Sequence, residues 1–398
     1  MEKNGKKRRC VEGERGLPGG LACAQGSVLV QTGMMTTTTN TDSVQPKVDL
    51  LNLTRSELEA FVVEDLRQPR FRTDQLWHWL WSRGVASFAE MTNLSKDLKA
   101  KIAERAAIVW PAIEVARTST DGTIKLLLRL GDGERIETVL IPMGEHYTQC
   151  LSTQVGCAMA CTFCSTGELG LTRNMTMGEI LGQVLVGRAH LAQVGLPTVR
   201  NLVFMGMGEP LMNLTELLRS LETLGSAEGI SIASRRATVS SVGIPSALRI
   251  LGDSGLAVPA ISLHAPTQDL REKLMPKAAK IPLNELMSCL DAYPLKSRER
   301  VTYEYIMLGG VNDSIGHARQ LVKLLGQRRC KVNLIGYNPP PPSVSPNPPY
   351  SAPDPEGVLA FEEYLRSKSI TTFIRRSMGQ DIAAACGQLK LLAGPVEA

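Results

Sequence analysis

Six short apolar runs recur across the C-terminal half of this 398-residue chain: "NLVFMGMGEP", "RATVSSVG", "AVPAISLHAP", "RVTYEYIMLGG", "CKVNLIGYNP" and "TTFIRRSMG". Each is separated from the next by helix-like sequence, the alternation expected of parallel strands joined by helical crossovers. Several runs end in Gly, Ser, His or Asn, the residue types that line the mouth of a β/α barrel at the C-terminal ends of its strands. The expected fold is therefore α/β, a partial (β/α) barrel.

Upstream the period changes. Between Leu50 and Ala116 the pattern is helical: "TRSELEAFVVEDL" opens with Thr54 followed by Glu57, a capping-box spacing, and puts Leu58, Phe61, Val62 and Leu66 on one face. In "RTDQLWHWLWSRG", Trp77, Leu80 and Trp81 share a face and Gly84 suits a C-terminal cap. Tryptophans can stack on bases, but packing in a core is the preferred reading here. A hairpin follows, "GTIKLLLRL" and "RIETVLIP" about the turn "GDGE". The expected organisation is an extension over 1–46, a helical domain over 47–116, a β/α domain over 117–392 and a tail over 393–398. The extension contains the low-complexity "TGMMTTTTNTDS", in which Met34 or Met35 is an alternative start of translation. The proline-rich "YNPPPPSVSPNPPYSAPDPE" excludes regular helix or inner strand, so it reads as a loop.

Composition narrows the function classes. With 43% apolar and 21% charged residues the chain has a globular balance, and no apolar run reaches the ~18 residues of a membrane span. A net charge of +5 permits a polyanionic partner without requiring one. The basic pairs Arg235-Arg236, Arg328-Arg329 and Arg375-Arg376 are candidates for such contacts or for solvated surface. The nine cysteines are scattered except for one tight group, unlike a secreted disulfide framework, so a reducing, cytoplasmic compartment is expected.

That group is Cys157, Cys161 and Cys164 in "QVGCAMACTFCSTG". Three neighbouring thiols suggest a metal. Structural zinc takes four protein ligands, and the fourth would have to come from elsewhere in the chain. An iron-sulfur cube held by three cysteines instead leaves one iron open for chemistry. The Cys-x3-Cys-x2-Cys spacing resembles the signature of radical S-adenosylmethionine enzymes, whose open iron binds the amino and carboxylate groups of that cofactor. In "NLVFMGMGEP", Gly206 and Gly208 are expected to let backbone approach a ligand, and Glu209 to face an ammonium group.

Five ordered blocks, "CLSTQVGCAMACTFCSTG", "MGMGEPLMN", "SLHAP", "VNLIGYNP" and "DIAAACGQL", resemble the RlmN/Cfr family of RNA adenine methyltransferases over about residues 50–392. The resemblance implies a 4Fe-4S cluster on Cys157, Cys161 and Cys164, and S-adenosylmethionine, two per turnover, held by Gly208, Glu209, Ser240, Ser262, Leu263, His264 and Asn338. It implies that Cys386 carries the methyl group, that Cys150 resolves the covalent adduct through a disulfide bond, and that Glu137 accepts a proton. It implies recognition of RNA by the helical domain. The implied substrate is 23S rRNA, at carbon 2 of an adenosine in the peptidyl-transferase centre for the RlmN branch and at carbon 8 for the Cfr branch. Transfer RNA and an electron donor such as flavodoxin or ferredoxin are further implied partners. The need for a radical is chemical: carbon 2 of adenine lies between two nitrogens, is electron-poor, and has no lone pair to attack a methyl sulfonium. Read without the resemblance, Cys386 and Cys150 are small packing residues. A non-catalytic iron-sulfur or zinc module that binds RNA, or another kind of radical enzyme, remains an alternative. The remaining cysteines, Cys10, Cys23, Cys289 and Cys330, match no block and are expected to be structural.

Overall fold

The computed structural model describes residues 47–340 and 348–391. The extension with its two candidate start methionines, the centre of the proline-rich loop, the tail, Cys10 and Cys23 lie outside the described residues.

The helical segment begins at the expected cap. The Thr54 hydroxyl accepts from the Glu57 amide, and the Glu57 carboxylate accepts from the Thr54 amide at 2.8 Å. These bonds satisfy two of the first-turn donors that a helix leaves unpaired. Leu58, Phe61, Val62 and Leu66 are buried, and Gly84 ends the second helix in the left-handed region at φ 63°. Trp77 and Trp81 lie in the core with ring centroids 5.9 Å apart. The Trp77 indole N–H donates to Ser226 Oγ, so these rings are packing residues rather than a platform for bases. Two short strands, β1 (Val48–Asp49) and β2 (Ala106–Ala107), pair in parallel and close this segment.

Next come β3 (Ala112–Thr118), β4 (Ile124–Arg129), β5 (Arg135–Pro142) and β6 (Tyr147–Cys150), an antiparallel meander containing the expected hairpin as β4 and β5. A separate antiparallel pair, β7 (Gln154–Gly156) and β8 (Leu171–Asn174), brackets the cysteine loop. The six apolar runs then form β9 (Val199–Phe204), β10 (Ala237–Ser241), β11 (Val258–Ser262), β12 (Val301–Met307), β13 (Cys330–Gly336) and β14 (Thr371–Arg375).

All ten long strands join one sheet in the order β14-β13-β12-β11-β10-β9-β6-β5-β4-β3, parallel from β6 to β14. Neighbours in space are therefore neighbours in sequence, as one-way crossovers require. Every residue of β12 is buried, as expected of a strand covered on both faces. Among the described residues β3 and β14 are the sheet's two edges, so the barrel is partial, as expected. The parallel strands point their C-terminal ends toward one face, and the cysteine loop follows the first of them.

Candidate functional site

A cavity opens at the C-terminal ends of β9 to β13. Its lining includes Cys157, Cys161 and Cys164, Gly206, Gly208 and Glu209, Ser240, Ser262, His264, Glu304 and Cys386. Its interior and mouth together span ≈ 820 Å³, part of which is open solvent. Two larger grooves lie at the opposite ends of the strands, among Arg235, Arg298, Arg300 and Arg329. They hold no group of thiols and carboxylates that could act on a bound molecule, so the smaller cavity is the candidate site.

The cysteine loop is held at its base by backbone. Pairing of β7 with β8 brings the Cys157 amide to Gly170 O at 2.7 Å, and Thr162 N bonds Leu274 O at 3.0 Å. Ala160 at φ 51° turns the chain so that Cys161 and Cys164 follow closely, the Cys164 amide reaching Cys161 O at 3.1 Å. Burial pushes the Cys157 thiol up to about 11 and that of Cys161 higher still, with the neighbouring Cys164 adding to the latter. Cys164 is raised by burial as well. Neutral thiols in such surroundings become good ligands when a cation takes up the thiolate charge. Among the described residues no three His, Cys, Asp or Glu side chains converge on a single ion. A cube takes one thiolate per iron, so its ligands stand apart, and this donor set fits a cluster better than one zinc ion.

The glycines after β9 serve the fold as well as the cavity. A Cβ on Gly206 would lie 2.7 Å from Leu151 O, and one on Gly208, whose φ is +103°, would lie 2.6 Å from the Gln154 Cβ. It is thus the chain leading into the cysteine loop that needs them small, a reason the sequence reading did not supply. Glu209 is likewise tied down. Its carboxylate accepts from the amides of Leu211 at 3.1 Å and Val242 at 2.9 Å, while its own amide donates to Gln154 Oε1. Burial raises its pKa against those bonds.

Ser240 and Ser262 approach each other at 3.3 Å between hydroxyls, on adjacent strands. His264, at φ 56°, accepts the Ile306 amide on Nδ1 at 3.0 Å and meets the Phe163 ring edge-on. Burial, then the nearby Arg271 charge, lower its pKa to about 3, so the ring is neutral with its proton on Nε2. Leu263 and Asn338 are not part of the lining. Leu263 is fully buried, and Asn338 donates to Gly336 O and Ser377 Oγ.

Sequence reasoning missed Glu304. Only 3% exposed, it lines the cavity and holds Oε1 on Asn333 Nδ2 at 2.8 Å, while Oε2 has no partner. A carboxylate in the apolar run "VTYEYIM" was the available signal. Buried Arg271 was also missed; it binds the carbonyls of Val242, Ser262 and Leu263 and so fixes the ends of two strands.

Cys386 comes from the far end of the chain. Its surface is open to the cavity, yet enough protein surrounds it that desolvation raises the thiol's pKa, opposed by Arg375 and reinforced by Glu304. Cys150 ends β6, buried, its thiol pushed up to about 12 by burial and by the Cys386 charge nearby. The two are not joined: every described cysteine is free, which gives the expected disulfide bond no support here. In the implied chemistry that bond exists only at the close of a turnover. Glu137 lies outside the lining, fully buried, with Oε1 3.1 Å from Lys125 Nζ and Oε2 accepting the Lys390 amide at 2.9 Å.

Comparison with known proteins fits this arrangement. The family model of the "Radical SAM superfamily" matches residues 151–322, and that of the "Ribosomal RNA large subunit methyltransferase N-terminal domain" matches 48–108. A solved radical SAM methyltransferase from Sphaerobacter thermophilus superposes with a TM-score of 0.81 at 39% identity, covering 87% of this chain and 100% of its own. Fold and site thus define a radical S-adenosylmethionine enzyme that methylates RNA, and that superfamily works with this cofactor and a 4Fe-4S cluster. Among curated relatives, the dual-specificity RNA methyltransferases RlmN of Nitratidesulfovibrio vulgaris and Oleidesulfovibrio alaskensis are 59% and 58% identical. The matches cover 86% of this chain and 94% and 96% of theirs. The chain belongs to the RlmN family. No helix among the described residues is long and apolar enough to cross a membrane.

Proposed function

We propose that this enzyme methylates carbon 2 of a specific adenosine in the peptidyl-transferase centre of 23S rRNA and the adenosine beside the anticodon of tRNA, by methylene transfer through Cys386. The observation that carries the reading is the thiol of Cys386 facing the same cavity as Cys157, Cys161 and Cys164. Those three cysteines would hold the cluster, and Gly208, Glu209, Ser240, Ser262 and His264 would line the cofactor's place, with Leu263 and Asn338 outside that lining. Bound there, cluster and S-adenosylmethionine supply a methyl group for the thiol and, once reduced, a hydrogen-abstracting radical. A flavodoxin or ferredoxin in the cytoplasm would provide the electron.

The chain's own residues then divide the work. Cys386 loses its proton to become S-methylated, aided by the positive charge of Arg375. After hydrogen abstraction its S-bound methylene forms a carbon-carbon bond to the base. Cys150 attacks the Cys386 sulfur, so that an S–S bond forms as the S–CH₂ bond breaks. The ring hydrogen leaves as a proton, the freed carbon takes one from solvent, and the surplus electron returns to the donor. Phosphate contacts from Lys and Arg supply affinity for RNA, and the target base is extruded into the cavity.

The test is mass spectrometry of nucleosides after anaerobic reaction with unmodified 23S rRNA and S-adenosylmethionine bearing a deuterated methyl group. A 2-methyladenosine that has lost one of its deuterium atoms is expected. An 8-methyl product would move the enzyme to the Cfr branch, and a fully deuterated methyl group would overturn the route through Cys386.

A further inference from the structure

The segment that carries Cys386 makes no sheet pairing of its own and, after a short turn of helix over Gln380–Ile382, runs on as loop. Its backbone polar groups must be satisfied from elsewhere. On one side, Ser165 N bonds Gly387 O at 2.7 Å and Thr166 Oγ1 bonds Leu389 O at 2.8 Å, both from the helix that follows the cysteine loop. On the other side stands the β3–β5 meander. Asp121 accepts the Gly379 amide at 2.7 Å, and Asp381 accepts Ser119 Oγ and the Thr120 amide.

Between these anchors sits the pair Lys125–Glu137, its side chains 3% and 0% exposed. Lys125 Nζ donates to Ala383 O at 3.0 Å, three residues before Cys386, and Glu137 Oε2 accepts the Lys390 amide, four residues after it. Two charges this deep carry a heavy desolvation cost, seen in the lowered pKa of Lys125, and persist only where they are paired. Here each ion spends one contact on its partner and another on the segment. Neither side chain lines the cavity; Glu137 Oε2 is taken by the Lys390 amide, while Oε1 faces Lys125 Nζ at 3.1 Å as an ion pair without a hydrogen bond.

We propose that Lys125 and Glu137 are positioning residues, a buried ion-pair clamp that grips the chain on both sides of Cys386 and sets its thiol at the cavity. The inference rests on the proposed role of Cys386 only for its second readout below.

The variants are Lys125→Met, Glu137→Gln and the double Lys125→Met/Glu137→Gln, which removes both charges while keeping an oxygen for the Lys390 amide. In the full chain without cofactor, hydrogen exchange of the amides over 379–390 is expected to quicken at least tenfold in each single variant and to return within about threefold of wild type in the double. In the reconstituted holoenzyme, S-methylation of Cys386 read by peptide mass spectrometry is expected to fall in the singles and recover in the double. Unchanged exchange in Lys125→Met would overturn the clamp. So would full S-methylation in all three variants together with RNA product lost wherever Glu137 is replaced, the pattern of a proton acceptor. Should the singles fail to fold, the double alone decides: native exchange and S-methylation support the clamp, and loss of RNA product with S-methylation intact refutes it. Absence of S-methyl from wild-type Cys386 would sink the proposed function while leaving the exchange measurement to judge the clamp.

Discussion

Replacing Gly208 by alanine separates two reasons for a glycine in this site. If the residue is small so that a ligand can approach, the variant folds normally and only binding suffers. The structure argues instead for a folding defect. At φ +103° an L-residue is strained by roughly 1–2 kcal/mol, the scale of the left-handed penalty. The added Cβ would also stand 2.6 Å from Gln154 Cβ and 2.9 Å from Gln154 N, and backbone cannot swing aside as a side-chain tip can. Overpacking of that kind costs about 1–3 kcal/mol, for a total of ~2–5 kcal/mol. A control isolates the clash: Gly133 has φ +92° but open space around its Cβ, so Gly133→Ala carries the backbone strain alone, roughly 1–2 kcal/mol. Guanidinium unfolding of both variants, without cofactor, measures the difference. If Gly208→Ala is no less stable than Gly133→Ala, the packing argument fails and the glycine belongs to the ligand.

Trp81→Ala should lose about 3–5 kcal/mol of stability in the same assay, as expected for emptying a buried site; unchanged stability with weakened RNA binding would restore the base-stacking reading. Hydrogen bonds from Arg219 are the main cause holding Glu57 down at about 2, so the pair's stabilisation is complete above pH 4.5 and is lost as pH falls toward 2. Because the Glu57 side chain is 43% exposed, solvent screening limits the effect to ~1 kcal/mol or less, and Arg219→Met should flatten the acid slope of stability in that window. His264 should show no ring titration between pH 5 and 8 by NMR. Since the unfolded ring takes up a proton near pH 6.5 that the folded ring refuses until about 3, His264 should also favour unfolding as pH falls below 6.5. A measured midpoint near 6.5 would contradict its burial.

Local pattern carried much of this structure. All six apolar runs became parallel strands because such strands are covered on both faces and must be apolar nearly throughout, a signal that survives without any partner. The capping box at Thr54 and the cap at Gly84 were legible for the same reason, being satisfied within a few residues. The lining of the cavity was less legible. Leu263 and Asn338 share blocks with lining residues but turn elsewhere, since adjacent positions on a strand or its end face opposite sides.

The partner of Glu137 was within reach of the sequence and was not found. In the hairpin register Lys125 stands opposite Val139, which places it diagonally from Glu137 on the same face. A lysine and a glutamate so placed within the buried, largely apolar stretches of two strands are each implausible alone and complementary together. What pattern does not show is why the pair lies buried, because the cause is a segment about 250 residues further on. If Cys386 carries a reactive carbon, as proposed, its thiol needs a fixed position, and a loop without a ladder gains one only by lending its amides and carbonyls to polar side chains already in place. Buried charge far from any reacting atom is therefore what a site of this construction should contain, and Lys125→Met tests whether this one is needed.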